Sequence, residues 1–238
     1  MRSTKMHPQL SCEACKSREN SLFGVLCHAQ LTDISENKSC TLYRKGQILF
    51  HEGTRPLGVF CINQGKVKVY KLGYDGKEQI VHVAGQGGIL GYKALIAEEP
   101  YSVSAETLDD CTICFLPRQS FLEAVSKSPE LNQRILKQVC HELGVMNENL
   151  TNQAQRTVRE RLAITLLKLR DTYGMDYHDD STIEINLTRE DLANMVGTAT
   201  ETLIRLLHEF KEDKLISTQG RKISIDDAKG LAKEANLY

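Results

Sequence analysis

The sequence predicts an α+β protein: a β-roll of short hairpins, one long helix and a C-terminal winged helix-turn-helix. Three observations predict it. Short apolar runs separated by glycine turns fill residues 40–117, and apolar residues then recur every three or four positions from Leu131 to Leu150. Finally, two short helical segments meet at Gly197 and are followed by a hairpin with a basic tip.

The roll comes first. Gln47-Ile48-Leu49-Phe50, Val59-Phe60-Cys61-Ile62, Lys66-Val67-Lys68-Val69-Tyr70 and Gln79-Ile80-Val81-His82-Val83 alternate or cluster apolar residues. Gly53, Asn63-Gln64-Gly65, Asp75-Gly76 and Gly85-Gln86-Gly87-Gly88 separate them, as turns between hairpin strands require. The long helix follows. Ser128 suits its N-cap and Pro129 its first position, and the stripe Leu131, Ile135, Val139, Leu143, Met146, Leu150 is narrow enough to be a two-helix seam. A second helix is expected over Val158–Tyr173, then a polar loop over Asp176–Ser181.

Thr188 to Gly197 reads as a short helix: Thr188 is a good N-cap, Asp191 stands where a capping box needs it, and glycine ends it. A second helix is expected from Thr198 to Phe210. Ala193, Gly197 and Leu203 have the spacing of a helix-turn-helix: a small residue for close approach, a glycine for the turn, an apolar lock. Lys214–Thr218 and Lys222–Ile225 around Gln219-Gly220-Arg221 form the wing, with Arg221 at its tip.

Composition sets the bounds. The chain has 238 residues, 41% hydrophobic and 26% charged, enough for two modest domains. No apolar stretch reaches membrane-spanning length, and Met1–Pro8 has no apolar leader region, so a cytoplasmic location without a membrane is expected. The net charge is −1, and residues 156–238 carry 13 Lys or Arg against 15 Asp or Glu. DNA binding is therefore argued from local pattern and not from bulk charge. No P-loop, G-x-S-x-G, H-E-x-x-H or G-x-G-x-x-G signature is present, so an enzyme is not expected.

Residues 40–238 resemble the Crp–Fnr regulators. Lys45–Gly53 and Gln64–Tyr70 are similar to turns of their β-roll, which in that family is a cyclic-nucleotide-binding-like domain. Leu187–Ala193 and Thr200–Leu207 are similar to their two DNA-facing helices. The resemblance implies a cysteine-bearing segment at 1–30, a sensor roll at 31–127, a dimerisation helix at 128–155 and a DNA-binding domain at 156–238. It implies a homodimer on a palindromic double-stranded DNA site, working with RNA polymerase. Arg205 is then expected to reach guanine O6 and N7, and Glu201, one turn earlier, the N4 amine of cytosine. Thr188 and Arg189 are expected on phosphates, with Thr198, Thr200 and Arg221 alongside. Thr200 and Ile204 depart from residues that other members carry there.

Cyclic-nucleotide-sensing members share a Gly-Glu-Leu turn and an Arg-Ser pair. Gly91-Tyr92-Lys93 and Tyr101-Ser102 correspond here, so both charged nucleotide partners are tyrosines and a cyclic nucleotide is not expected. Eight cysteines offer another sensor. Cys12 and Cys15 form a C-x2-C pair, Cys27 follows after eleven residues, and Cys114 lies in a strand resembling that of the distant ligand in oxygen-sensing Fnr-type regulators. Cys61 is the rival to Cys27. Four thiolates suit a 4Fe–4S cluster or tetrahedral zinc; a thiol redox switch and plain packing are the remaining readings. Cys111 and Cys114 are expected on opposite faces of their strand, and Cys40 and Cys140 are read as packing residues.

Overall fold

The computed structural model describes residues 11–173 and 185–237, so the expected loop at 176–181 and the segment 1–8 lie outside the described residues. In chain order the first elements are α1 (His28–Asn37), β1 (Ser39–Tyr43), β2 (Ile48–Phe50), β3 (Gly58–Gln64), β4 (Val67–Leu72), β5 (Glu78–Ala84) and β6 (Ile89–Leu90). Then come α2 (Tyr92–Ala97), β7 (Ser104–Thr107), β8 (Cys111–Pro117), α3 (Arg118–Lys127), α4 (Pro129–Gln155) and α5 (Val158–Tyr173). The C-terminal elements are β9 (Ile185–Asn186), α6 (Arg189–Val196), α7 (Thr200–Glu212), β10 (Ile216–Gln219), β11 (Lys222–Ile225) and α8 (Ala228–Glu234). Contacts divide the chain into two compact units, Met1–Lys71 with Ala84–Gly144 and Leu72–Val83 with Val145–Tyr238.

The first unit is the β-roll. One sheet runs β1-β8-β3-β6, and β2, β7 and β4 pair antiparallel in another. Phe50, Phe60, Val67, Val69, Tyr101 and Ile113 fill a core cluster of the roll. On β8, Cys111 and Ile113 belong to this cluster whereas Cys114 and Leu116 line a cavity on the other side, which puts Cys111 and Cys114 on opposite faces as expected.

A second core cluster shows what periodicity did not. Residues 11–38 carry a 3-10 turn at Leu22–Val25 and the helix α1. Their Leu22, Phe23, Leu31 and Ile34 pack with Leu116, Phe121 and Leu131. Phe121 and Leu131 are fully buried, and each such side chain contributes about 1.5–3 kcal/mol. The cysteine-bearing segment is thus built onto the roll.

The stripe on α4 divides. Leu131 and Ile135 are buried in this cluster, correcting their assignment to the seam. Leu136, Val139, Leu143, Met146 and Leu150 stay exposed, at 63%, 37%, 58%, 50% and 68%. Cys140 is exposed on the same helix, so its reading as a packing residue fails.

In the second unit, β10, β11 and β9 form a small antiparallel sheet beside α5, α6, α7 and α8. Arg159 on α5 ties it together. It bonds Glu234, Glu209 and Asp213 at 2.6, 2.9 and 2.8 Å and lies over the Phe210 ring. No helix among the described residues is long and apolar enough to cross a membrane.

Candidate nucleic-acid interface and thiol cavity

The helix-turn-helix is built from its caps outward. Thr188 Oγ1 accepts from Asp191 N–H at 2.9 Å and starts α6. Gly197 ends it in the left-handed region, φ 72°, where its N–H and that of Thr198 both donate to Ala193 O. Arg161 donates to Val196 O and Gly197 O, fixing the turn from α5. The second helix opens two residues later than expected: Ala199 is its N-cap and Thr198 sits in the turn, because the bonds to Ala193 O close there.

On α7, Leu203, Leu206, Leu207 and Phe210 are buried, which leaves Glu201, Ile204, Arg205 and His208 exposed on the opposite face. Arg205 is 65% exposed and pairs with Glu209, one turn along, at 2.5 Å. Thr200 is half-buried at the helix start.

Arg189 has a partner that sequence reasoning missed. Its guanidinium donates to Gly220 O at 3.0 Å and Arg221 O at 3.3 Å, so α6 holds the tip of the wing. Burial moves its pKa down. Arg221 itself is exposed. The arrangement presents a helix face, a helix N-terminus and a hairpin tip.

The roll holds the other site. In the β1-β8-β3 ladder Cys40 stands opposite Cys114, and Cys61 stands opposite Cys114 on the other side. Directly opposed residues project from one face, so the three cysteines form a row across three strands. Cys12 and Cys15 lie over that face. Cys12, Cys15, Cys61 and Cys114 line one cavity together with Lys38, Asn63 and Phe23. Its volume of about 50 Å³ leaves room for more than one water-sized group.

Local bonds set the cysteine segment in place. Cys12 N–H donates to Ser35 Oγ, Asn63 Nδ2 donates to Cys15 Sγ at 3.2 Å, and Ser17 Oγ donates to Asn63 O. The segment crosses Gly87 so closely that an added Cβ there would lie 2.9 Å from Ser17 O. Burial pushes the Cys61 thiol up to about 12, with Cys12 adding to the rise, Lys38 opposing it and Cys15 adding again.

Two readings change. Cys40 is bonded to Cys114 in a disulfide, which corrects its reading as a packing residue and occupies the Cys114 sulfur. Cys27 is exposed at the start of α1, where Gln30 caps its N–H, and it does not line the cavity. The structure brings Cys12, Cys15, Cys61 and Cys114 together and leaves Cys27 out. Among the described residues, no three His, Cys, Asp or Glu side chains converge as a ready metal site.

The two tyrosines are also on view. Tyr101 is buried and stacks on Phe50 with ring centroids 3.9 Å apart. Tyr92 is buried and donates to Glu142 Oε1 at 3.0 Å, while Lys93 Nζ lies 2.6 Å from Glu142 Oε2. Burial and the Glu142 charge move the Tyr92 phenol upward. The turn that corresponds to the Gly-Glu-Leu turn of cyclic-nucleotide-sensing members thus contacts α4.

Comparison with known proteins agrees with this architecture. Residues 41–128 match the family described as cyclic nucleotide-binding domain, and residues 160–234 match the Crp-like helix-turn-helix domain. The chain is 30% identical over 202 residues to the anaerobic regulatory protein of Haemophilus influenzae, covering 85% of this chain and 77% of that one. It is 27% identical to the fumarate and nitrate reduction regulatory protein of Yersinia pestis, over 87% of this chain and 81% of the relative. Among solved structures, FixK2 of Bradyrhizobium japonicum aligns with a TM-score of 0.72 at 20% identity, over 82% of this chain and 96% of its own. A CRP/FNR-family regulator from Thermus thermophilus aligns with a TM-score of 0.69 at 21% identity, over 83% and 98%. With a roll, a long helix and a winged helix-turn-helix in this order, and relatives of that kind along most of its length, the chain belongs to the Crp–Fnr family of DNA-binding transcription regulators, on its Fnr-like side.

Proposed function

We propose that the protein is a homodimeric regulator that reads a palindromic DNA site and senses oxygen or redox state through a 4Fe–4S cluster held by Cys12, Cys15, Cys61 and Cys114. The observation that carries the sensor reading is that these four cysteines line one cavity. The donor set fits in number and chemistry: a cubane takes one thiolate per iron, whereas zinc draws four sulfurs around a single ion. Ligation requires Cys114 released from Cys40 and Cys61 deprotonated, and metal binding itself favours thiolates over thiols. A bound cluster supplies a centre whose oxidation state or integrity changes with oxygen.

The roll supports this choice over a cyclic nucleotide. A buried cyclic phosphate needs a cation, and the corresponding position holds Tyr101, stacked on Phe50. For the output, Arg205 and Glu201 read bases from α7, while Thr188, Arg189, Thr198, Thr200 and Arg221 face the backbone from the caps and the wing. The exposed apolar stripe on α4 supports a parallel dimer seam, which sets two recognition helices about one DNA turn apart. RNA polymerase is the expected partner at the promoter, and the cytoplasm the expected compartment.

Protein purified without air tests the reading. It is expected to be brown, to bleach in air and to lose DNA affinity as it does so. A colourless protein with about one zinc per chain would make the cavity a structural zinc site. Absence of both metals after anaerobic reconstitution with iron and sulfide would end the metal reading.

A further inference from the structure

We propose that Cys40 is a redox partner of Cys114, which ties up the Cys114 sulfur in a disulfide under oxidising conditions, so that it cannot act as a ligand at the thiol cavity, and frees it on reduction. The proposal deepens the cluster reading and rests on it for its consequence, although not for its chemistry.

The register carries the argument. Cys114 faces Cys40 on one neighbouring strand and Cys61 on the other, so its sulfur stands between two alternatives. On the β3 side Cys114 lines the cavity with Cys12, Cys15 and Cys61, and it does so with its sulfur already bonded to Cys40. Toward β1 it closes the disulfide with Cys40 across a separation of 74 residues. A sulfur held in a disulfide is no thiolate and is lost as an iron ligand. The two states therefore exclude each other at a single atom.

Position decides which thiol meets the oxidant. Strand β1 is the edge of its sheet, and Cys40 is half-buried there. Cys114 lies on an inner strand and is 6% exposed. The Cys40 thiolate attacks one sulfur of a low-molecular-weight disulfide, forming a mixed disulfide and expelling one small thiol. The Cys114 thiolate then attacks the Cys40 sulfur and expels the second. Two protein thiols become one disulfide, and the small disulfide becomes two thiols that take up the two electrons and two protons. An excess of small thiol runs the same steps backward.

The test uses the full chain, metal-free, equilibrated at a series of oxidised-to-reduced glutathione ratios, alkylated and mapped by mass spectrometry. A Cys40–Cys114 linked peptide is expected in the wild type at oxidising ratios. In Cys40→Ser, Cys114 is expected to remain alkylatable at the same ratios. Co(II), whose thiolate bands report uptake, is expected to bind oxidised wild type at least about tenfold more weakly than oxidised Cys40→Ser, with the gap closed by reduction. Cys40→Val, carrying the same shape preference as a strand residue, repeats the comparison if the serine variant folds poorly. Both thiols alkylated at every ratio, or Cys114 linked instead to Cys12, Cys15 or Cys61, overturns the proposal. If neither protein binds Co(II) when reduced, the metal reading of the cavity fails, and the peptide map alone then decides the pairing.

Discussion

Arg205 and Glu209 stand one turn apart on the exposed face of α7, joined at 2.5 Å, and Glu209 is held in turn by Arg159 at 2.9 Å. The carboxylate thereby links the candidate base reader to the cation that binds α5, α7 and α8. An arginine tethered along its own helix loses less freedom when it meets a base edge than a free one does.

Arg205→Ala is expected to cost about 1–3 kcal/mol on a specific palindromic site and to relax preference at one guanine. Thr188→Ala is expected to weaken binding evenly on all sequences and to cost about 1 kcal/mol of stability through the lost cap. Gel-shift titrations at fixed salt on matched and scrambled sites separate the two. Equal binding of Arg205→Ala and wild type to both sites would remove Arg205 from the readout.

Glu142 gives a pH prediction. Burial pulls its carboxyl upward, but hydrogen bonds from Lys93, Gln138 and Tyr92 and the Lys93 charge outweigh that and leave it below the ordinary range. A depressed carboxyl adds stability that is full above the unfolded pKa of about 4.3 and is lost as pH falls through the folded value. The pair is partly exposed, so its worth is about 1 kcal/mol. Glu142→Gln is expected to lower urea stability by about that much at pH 7 and by progressively less as pH drops below 4. A difference independent of pH would mean that shape, not charge, holds the contact between α2 and α4.

The α4 stripe predicts assembly. Val139→Glu with Leu143→Glu would set like charges against each other across a parallel seam. Sedimentation is expected to show a monomer with weak operator binding, because each half-site contact then loses its partner. A variant that stays dimeric would place the interface elsewhere than on α4.

The architecture was legible where periodicity and turn chemistry are local. The glycine turns marked the hairpins, and Val158–Tyr173 and the Thr188 cap emerged as expected. Residues 11–38 were not legible, because Leu22, Phe23, Leu31 and Ile34 are stabilised by tertiary burial against α3 and α4 and show no long repeat of their own. Leu131 and Ile135 share the repeat of the seam residues, so periodicity alone could not divide roll-facing from exposed positions. Cysteine pairing depends on strand register, which composition does not disclose. Cys40 opposite Cys114 was readable only once β1 and β8 were paired. Arg189 reaching the wing tip is a similar long-range contact, spanning 31 residues to Gly220.

The register also sets apart two cysteines that spacing left open. Cys27 is exposed at the N-cap of α1, whereas Cys61 faces Cys114 across β3 and β8 and lines the cavity. Cys61→Ser is therefore expected to abolish the visible iron–sulfur absorption of anaerobically reconstituted protein, as Cys12→Ser, Cys15→Ser and Cys114→Ser are. Cys27→Ser is expected to keep it. Serine is the stronger N-cap, so the same substitution is expected to raise stability, by a few tenths to about 1 kcal/mol in urea melts. Iron and sulfide contents measured on all five variants make the comparison quantitative. If Cys27→Ser loses the cluster while Cys61→Ser retains it, residues 11–27 must rearrange on cluster binding to carry Cys27 to the cavity, and the four-thiol set read from the roll is wrong.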